Sequence, residues 1–215
     1  MRARNSNTPT PSETRWRIVT TAIGLYGRIG HNKTTVADIA RELSMSPANV
    51  YRFFSSKRAI DGAAVDELLE AALIAVSESA RNPSTAIDRL RAVLQAAHRL
   101  NVQRFQNEKR LHELVVTAMR EQWPEIEASA ERMTLVLAEI VGAGQARGEL
   151  GDGDSIVLAR CTLAATEAHL NPVLSPLDRA RPELDQMISF CISALRAASP
   201  TCRQAAADSA EPRAA

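Results

Sequence analysis

The segment TTVADIARELSMSPANVYRFFSSK, Thr34 to Lys57, determines the fold of the N-terminal part of this chain. Apolar residues recur at helical spacing on both sides of the short polar run Ser44 to Ser46. Pro47 stands where the first turn of a second helix would begin, and Ala40 is small enough for that helix to cross close by. The segment therefore predicts two helices joined by a tight turn, which is the arrangement of a helix-turn-helix.

The side chains that remain outside this packing are the ones that would reach DNA. Leu43 and Val50 are expected to pack against each other across the turn, and Ile39 and Phe53 against the preceding helix. The residues between them are short, polar and partly basic, which suits the major groove. The predicted DNA-binding residues are Thr34, Thr35, Ser46, Pro47, Ala48, Asn49, Tyr51, Arg52 and Lys57.

Two kinds of contact are expected within this set. Asn49 can both donate to and accept from adenine, and Arg52 can reach guanine or a phosphate. The other contacts would hold phosphates and so fix the register without reading sequence. Those phosphate contacts are assigned to Thr34, Thr35, Tyr51 and Lys57.

The charge of the chain is unevenly distributed. Its net charge is +1, but residues 1–60 hold ten Lys or Arg and three acids, whereas residues 61–215 hold sixteen Lys or Arg and twenty-two acids. A basic N-terminal segment on a mildly acidic body indicates a polyanionic partner for that segment. Hydrophobic residues make up 45% and aromatics only 4%, which favours a helical core of Leu, Ile, Val and Ala.

Helix-start signals recur along the rest of the chain. Ser12 is expected to cap a first helix that ends at Gly27 to Gly30, and Asn82-Pro83 to open another. Further helices are predicted near 57–80, 108–120, 124–148, 154–170 and 177–198. The predicted organisation is a flexible basic arm at 1–12, a helix-turn-helix domain at 13–57, a helical domain at 58–198 and a disordered tail at 199–215.

In combination these residues resemble the TetR/AcrR family of bacterial regulators. The resemblance covers about residues 14–60 and rests on Thr34-Thr35-Val36, Asp38-Ile39-Ala40, Ser46, Val50-Tyr51, Phe53-Phe54 and Ser56-Lys57. It implies an all-α protein in which a three-helix DNA-binding domain precedes a helical-bundle domain for effector binding and dimerisation. It also implies a homodimer, a recognition helix at Pro47–Phe54, and a dimer interface built by the last two helices.

The turn departs from the family at one position. Ser44 stands where the family usually has Gly, and that position commonly needs a positive φ. A left-handed conformation at a residue with a Cβ lowers the stability by on the order of 1 kcal/mol. We therefore expect the turn to form at slightly reduced stability.

A regulator needs a second site, and the resemblance implies an unidentified small-molecule effector among the central helices. The candidate contacts are Phe105, His112, Val116, Met119, Trp123 and His169. Such residues also occur as plain core or surface residues. The mixture of Ala, Leu and Val around them favours an apolar organic molecule.

Several other classes of protein are disfavoured by the sequence. It has no Gly-rich phosphate loop, G-x-S-x-G or H-E-x-x-H, so we expect neither an enzyme nor a cofactor. Three sparse cysteines indicate a reducing cytoplasm, and no apolar run is long enough for a signal peptide or a membrane helix. Two alternatives remain open, a helical adaptor without DNA binding and a metal-responsive regulator using His98, His112 and His169 with Glu113 or Glu167, although no H-x₃-H spacing supports the metal.

The predicted function is a sequence-specific regulator that binds a double-stranded operator as a homodimer, with repression favoured over activation. Half-sites about 34 Å apart require a fixed distance between two recognition helices. An effector that shifts the helix after the helix-turn-helix would change that distance and lower the affinity for DNA.

Overall fold

Helices account for the regular structure of this computed structural model, which describes residues 10–171 and 182–198. In chain order they are α1 Pro11–Ile29, a 3-10 turn His31–Lys33, α2 Val36–Glu42, α3 Pro47–Tyr51, α4 Lys57–Ser79, α5 Ala86–Asn107, α6 Lys109–Arg120, α7 Pro124–Ala146, α8 Ser155–Leu170 and α9 Leu184–Ala197. No strand occurs in these ranges, and the all-α prediction is confirmed. Residues 1–9 of the predicted arm, the predicted tail and the predicted start of the last helix at Leu177 lie outside the described residues.

Two helices begin at other residues than the sequence predicts. The N-cap of α1 is Thr10 and not Ser12, because Pro11 takes the first helical position and Glu13 completes a capping box with Thr10. The helix expected after Asn82-Pro83 begins only at Ala86, where Thr85 Oγ1 accepts from the N–H of Asp88. Helix starts predicted from single residues shift in this way whenever a better cap lies nearby.

The N-terminus of α2 is capped by two reciprocal side-chain hydrogen bonds, whereas that of α3 is capped by one. Thr35 is the N-cap of α2. Its hydroxyl accepts from the backbone N–H of Asp38, and the Asp38 carboxylate accepts from the backbone N–H of Thr35. Ser46 caps α3 by accepting from the N–H of Asn49 at 3.2 Å. Helix α3 ends at Tyr51, earlier than the Phe54 that the family resemblance implies, because the chain turns there to reach α4.

The turn between α2 and α3 is a Schellman motif. The N–H of Met45 donates to the carbonyl of Ala40 at 2.8 Å, and the N–H of Ser44 donates to that of Arg41 at 3.1 Å. Ser44 lies at φ +55°, so the positive φ expected there is confirmed. The same motif recurs at the end of α6, where Gln122 has φ +53°.

Chain contacts divide the protein into two compact units. Of the described residues, the first holds 10–68 and 104–126, and the second holds 69–103, 127–171 and 182–198. Helices α4, α5 and α7 each contribute residues to both units. The first unit includes α6 because α6 packs on α1, where Arg110 donates to the carbonyl of Arg28 at 2.6 Å at the end of that helix.

Each unit has an aliphatic core of its own. In the first, Val50 is fully buried, and Ile18, Ala22, Ile39 and Ile60 are likewise fully buried. Phe54 is 3% exposed and is the buried aromatic after α3, whereas Phe53 is only half-buried, so the core position assigned to Phe53 is wrong. The chain turns between Tyr51 and α4, and this turn carries Phe54 inward in its place. The second core is built from the Leu, Ile, Val and Ala residues of α4, α5, α7, α8 and α9.

Replacing Ser44 with Gly should stabilise the protein. The substitution removes a Cβ from a left-handed position and should raise the free energy of unfolding by roughly 0.5–1 kcal/mol, since the added freedom of the unfolded chain cancels part of the gain. Urea unfolding of the full chain measures it, and Gln122→Gly should give a gain of similar sign.

The matched control is Ser46→Gly, two residues further along. Ser46 has an ordinary φ of −79° and caps α3, so this variant should lose a few tenths of a kcal/mol. A loss of stability for Ser44→Gly equal to that of Ser46→Gly would contradict the strain assigned to the turn.

Candidate nucleic-acid interface

Helix α3 presents the predicted base-reading side chains on one exposed surface. Ser46, Pro47, Ala48, Tyr51 and Arg52 are exposed, and Asn49 is half-buried. Val50 lies on the opposite side of the same helix and is fully buried. The burial of Val50 fixes the rotation of the helix, so the amide of Asn49 and the guanidinium of Arg52 remain available to a ligand.

The residues predicted to hold phosphates are placed less uniformly. Thr35 and Tyr51 are exposed. Thr34 is buried, and its hydroxyl donates to the carbonyl of Gly30 at 2.9 Å, so its side chain supports the fold locally. The ammonium of Lys57 lies 2.6 Å from the carboxylate of Asp61, and a phosphate would have to compete with that ion pair.

Arg15, which is not among the residues predicted from the sequence, helps to hold α3 in position. Arg15 on α1 donates to the carbonyl of Phe53, and its guanidinium lies 4.1 Å from the centre of the Phe54 ring. The contact joins the start of α1 to the segment just after α3. Its two halves are nearly forty residues apart in sequence, so local spacing could not have revealed it.

A polar cluster lies beneath the first turns of α4, formed by Tyr26, His31, Lys57 and Asp61. The Lys57 ammonium donates to the carbonyl of His31 at 3.3 Å and lies 4.6 Å from the centre of the Tyr26 ring. Burial raises the pKa of Tyr26 above its ordinary value, and Asp61 adds to that effect. Burial also lowers the pKa of His31, against an opposing contribution from the Asp61 carboxylate. The cluster joins α1, the 3-10 turn and α4.

A second contact holds α4 from its other side. The Arg58 guanidinium lies 3.4 Å from the centre of the Trp123 ring and forms an ion pair with Glu125 at 3.1 Å. Gly62 makes room for that pair, because a Cβ there would come within 2.0 Å of a Glu125 carboxylate oxygen. Trp123 also donates from its indole N–H to Glu121 at 2.9 Å. The junction of α6 and α7 is thereby tied to the first turn of α4.

The predicted effector residues fall into two groups. In the first unit, the Phe105 ring lies 5.2 Å from the His112 ring, and Val116 and Met119 follow on the same face of α6. Trp123 is 7% exposed and already covered by Arg58. In the second unit, His169 is buried and its carbonyl lies 3.0 Å from Nδ1 of His98. Helix α5 ends at Asn107, so His98 and His112 stand on different helices, as the sequence predicted.

Two further properties of the described residues bear on the kind of site. Across residues 10–171 and 182–198, no group of three or more His, Cys, Asp or Glu side chains is arranged to hold a metal ion. Within the same part of the chain, none of the helices has the length and apolar character that crossing a bilayer demands.

Comparison with known families gives a consistent picture. Residues 18–64 match a family described as bacterial regulatory proteins, tetR family, and residues 86–187 match one described as tetracyclin repressor-like, C-terminal domain. Together these segments cover most of the chain. No curated protein matches the sequence closely.

Solved structures show the same fold. A TetR-family transcriptional regulator from Mesorhizobium loti superposes with a TM-score of 0.62 at 18% identity, covering 88% of this chain and 98% of that one. RolR in complex with resorcinol gives a TM-score of 0.58 at 15% identity, with 95% and 97% covered. A transcriptional regulator from Saccharomonospora viridis in complex with choline gives 0.57 at 24% identity, with 85% and 95% covered. At these identities the likeness concerns the fold alone.

The space beside Gly62 should be detectable by adding a methyl group. Gly24 lies at an exposed position of α1, and a Cβ added there would have no atom within 4 Å. Gly24→Ala should therefore raise the free energy of unfolding by roughly 0.5–1 kcal/mol. Gly62→Ala should gain about 0.5–1 kcal/mol less, because it displaces the partly exposed Arg58–Glu125 pair.

A double-mutant cycle separates the two effects. In a Glu125→Ala background, Gly62→Ala should recover the full gain shown by Gly24→Ala. If Gly24→Ala and Gly62→Ala gave equal gains in the unaltered protein, the Arg58–Glu125 pair would contribute nothing to the stability of α4.

Acidification should destabilise the protein through its buried histidines. Burial lowers the folded-state pKa of His31 and of His112 below the ordinary 6.5, so the unfolded chain binds more protons in the window between the two values. The contribution of these neutral histidines to the free energy of unfolding is therefore fully present above about pH 6.5. It decreases as the pH falls from 6.5 to the folded-state pKa.

Urea unfolding at a series of pH values measures this slope. His31→Gln should flatten it, and His31→Gln with His112→Gln should flatten it further. A slope between neutral pH and about pH 5 that is unchanged in the double variant would exclude these histidines as its source.

Proposed function

Because the chain belongs to the TetR family of bacterial transcriptional regulators, we propose that it is a sequence-specific repressor that binds its operator as a homodimer and is released by a small-molecule effector. The families and solved structures that it matches are those of transcriptional regulators. A chromosomal regulator acts in the cytoplasm, which is where we place it.

The exposed surface of α3 is the observation that carries this proposal. A fully buried Val50 and an exposed Arg52 on a helix of five residues leave a narrow polar edge with a cation at its end. A major groove about 12 Å wide admits such a helix, and the amide of Asn49 can form two hydrogen bonds with adenine. Arg52 supplies a positive charge that attracts phosphates.

Dimerisation is supported by the outer surfaces of α8 and α9. Leu158 and Ile192 pack inside the second unit, whereas Ile156 is 41% and Phe190 is 65% exposed. The residues around Phe190 on the exposed side of α9 are the polar Gln186 and the small residues Ser189, Ser193, Ala194 and Ala197. Two copies of α8 and α9 would bury these apolar surfaces in a four-helix interface around a two-fold axis. Such symmetry presents α3 twice, as two half-sites require.

The course of α4 supports the proposal of effector release. This helix begins three residues after Phe54 and continues from the first unit into the second. Proteins of the same fold hold resorcinol in one case and choline in another. We propose that an organic molecule bound near Phe105, His112, Val116 and Met119 moves α4 and with it α3. Repression would follow from occlusion of the polymerase until that happens.

Asn49→Ala should reduce discrimination between DNA sequences. Fluorescence anisotropy would compare the region upstream of the protein's own gene with unrelated DNA of equal length. Losing one bidentate base contact should cost about 1–3 kcal/mol of the difference between the two. Binding to both should also fall steeply with added salt.

The matched control is Asn32→Ala, which makes the same chemical change at an exposed position of the 3-10 turn. It should leave the preference unaltered. If Asn49→Ala discriminates as well as the unaltered protein, α3 does not read bases through this residue.

A further inference from the structure

Arg104 is a half-buried cation with few partners of its own. It lies one turn before the end of α5, facing α4 and α6 within the first unit. Its guanidinium donates one hydrogen bond, at 3.2 Å, to the carbonyl of Leu68 in α4. A guanidinium has five N–H donors. The Leu68 carbonyl also accepts a backbone hydrogen bond within α4. The other N–H groups of Arg104 are bonded to no described residue and are not fully buried, so they can reach a ligand.

The charge of Arg104 is also poorly compensated. Among residues 10–171 and 182–198, no carboxylate lies within 4 Å of its guanidinium, whereas Arg58 of α4 and Arg91 of α5 have such partners. Burial lowers the pKa of Arg104, and only the more distant Glu108 opposes that effect. A half-buried guanidinium that has no carboxylate beside it can form strong charge-assisted hydrogen bonds with an added anion. This position is suited to an anion supplied from outside the chain.

An aromatic and apolar surface continues from the guanidinium. The His112 imidazole lies close enough for the charge of Arg104 to lower its pKa, after the larger effect of burial, and Glu113 opposes both. The Phe105 ring is 54% exposed and meets the His112 ring edge to face at 5.2 Å. Val116 and Met119 extend the same side of α6 and are half-buried. One cation thus stands at the end of an apolar row.

We propose that Arg104 binds the carboxylate of an organic acid whose apolar body lies along Phe105, His112, Val116 and Met119. This assigns the effector of the proposed function to the class of organic anions, and it rests on that function. A bidentate pair between guanidinium and carboxylate supplies orientation as well as affinity. The neutral imidazole of His112 adds a hydrogen-bond donor or acceptor beside it.

The same geometry connects the ligand to DNA binding. Arg104 holds α4 at Leu68, and an anion bound to the other N–H groups of the guanidinium shifts it relative to that contact. Helix α4 begins immediately beyond the helix-turn-helix, so a change at Leu68 is transmitted along a continuous helix. The ligand therefore acts on the element that positions α3.

The test compares carboxylates with their amides on the full-length protein. The probes are phenylacetate and octanoate, each against its primary amide, at millimolar concentration and constant ionic strength. Both acids should raise the melting temperature and displace the upstream DNA in the anisotropy assay, whereas the amides should do neither. Arg104→Gln should weaken binding of the acids by about tenfold or more, and Arg104→Lys by less.

The matched control is Arg99→Gln, which removes one charge from an exposed position of the same helix and should leave acid binding unchanged. Amides that bind as tightly as acids, a panel in which no acid binds, or acid binding that survives Arg104→Gln would each overturn the inference. Should Arg104→Gln fail to fold, the comparison of acids with amides on the unaltered chain decides alone. DNA binding without any probe tests the proposed function separately.

Discussion

The four-residue reversal between α2 and α3 is the constraint on which the functional surface depends. Two backbone hydrogen bonds close it, and they form only because Ser44 adopts a left-handed conformation. With the reversal fixed, Val50 enters the core and the neighbouring side chains of α3 are turned outward. A small strain at one serine is thus offset by the burial of a complete aliphatic side chain. The direction of α3 follows from this turn and from the contact between Arg15 and the segment after it.

Helix α4 is held on two sides by contacts of different chemistry. On one side Lys57 forms a mostly buried ion pair with Asp61 beside the ring of Tyr26, and breaking it would leave a charge without its partner in a poorly solvated place. On the other side, Arg58 and Glu125 form a partly exposed ion pair beside Gly62. Partly exposed pairs contribute little to stability and exchange readily. The first contact keeps the helix attached to the DNA-binding helices, and the second can yield when α6 or α7 moves.

Local sequence patterns predicted what local interactions determine. The two helices, their turn and the positive φ of Ser44 depend on residues close together in the chain. Phe53 and Phe54 could not be separated in the same way, because the helix ends at Tyr51 and the rotation of the next residues depends on the packing of α4. The pairs that hold α4 and orient Arg104 join residues tens of positions apart, and no spacing rule relates them. Lys57 is the exception, since an acid four residues later signals an ion pair on a helix.

The central claim is that two copies of α3 lie in successive major grooves of one DNA segment. A hydroxyl-radical footprint together with guanine methylation protection, on the region upstream of the protein's own gene, tests it most directly. The account predicts two protected patches on one face of the duplex, with their centres about 34 Å apart and their purines shielded in the major groove. A single patch, protection confined to the minor groove, or no protection at low ionic strength would contradict it.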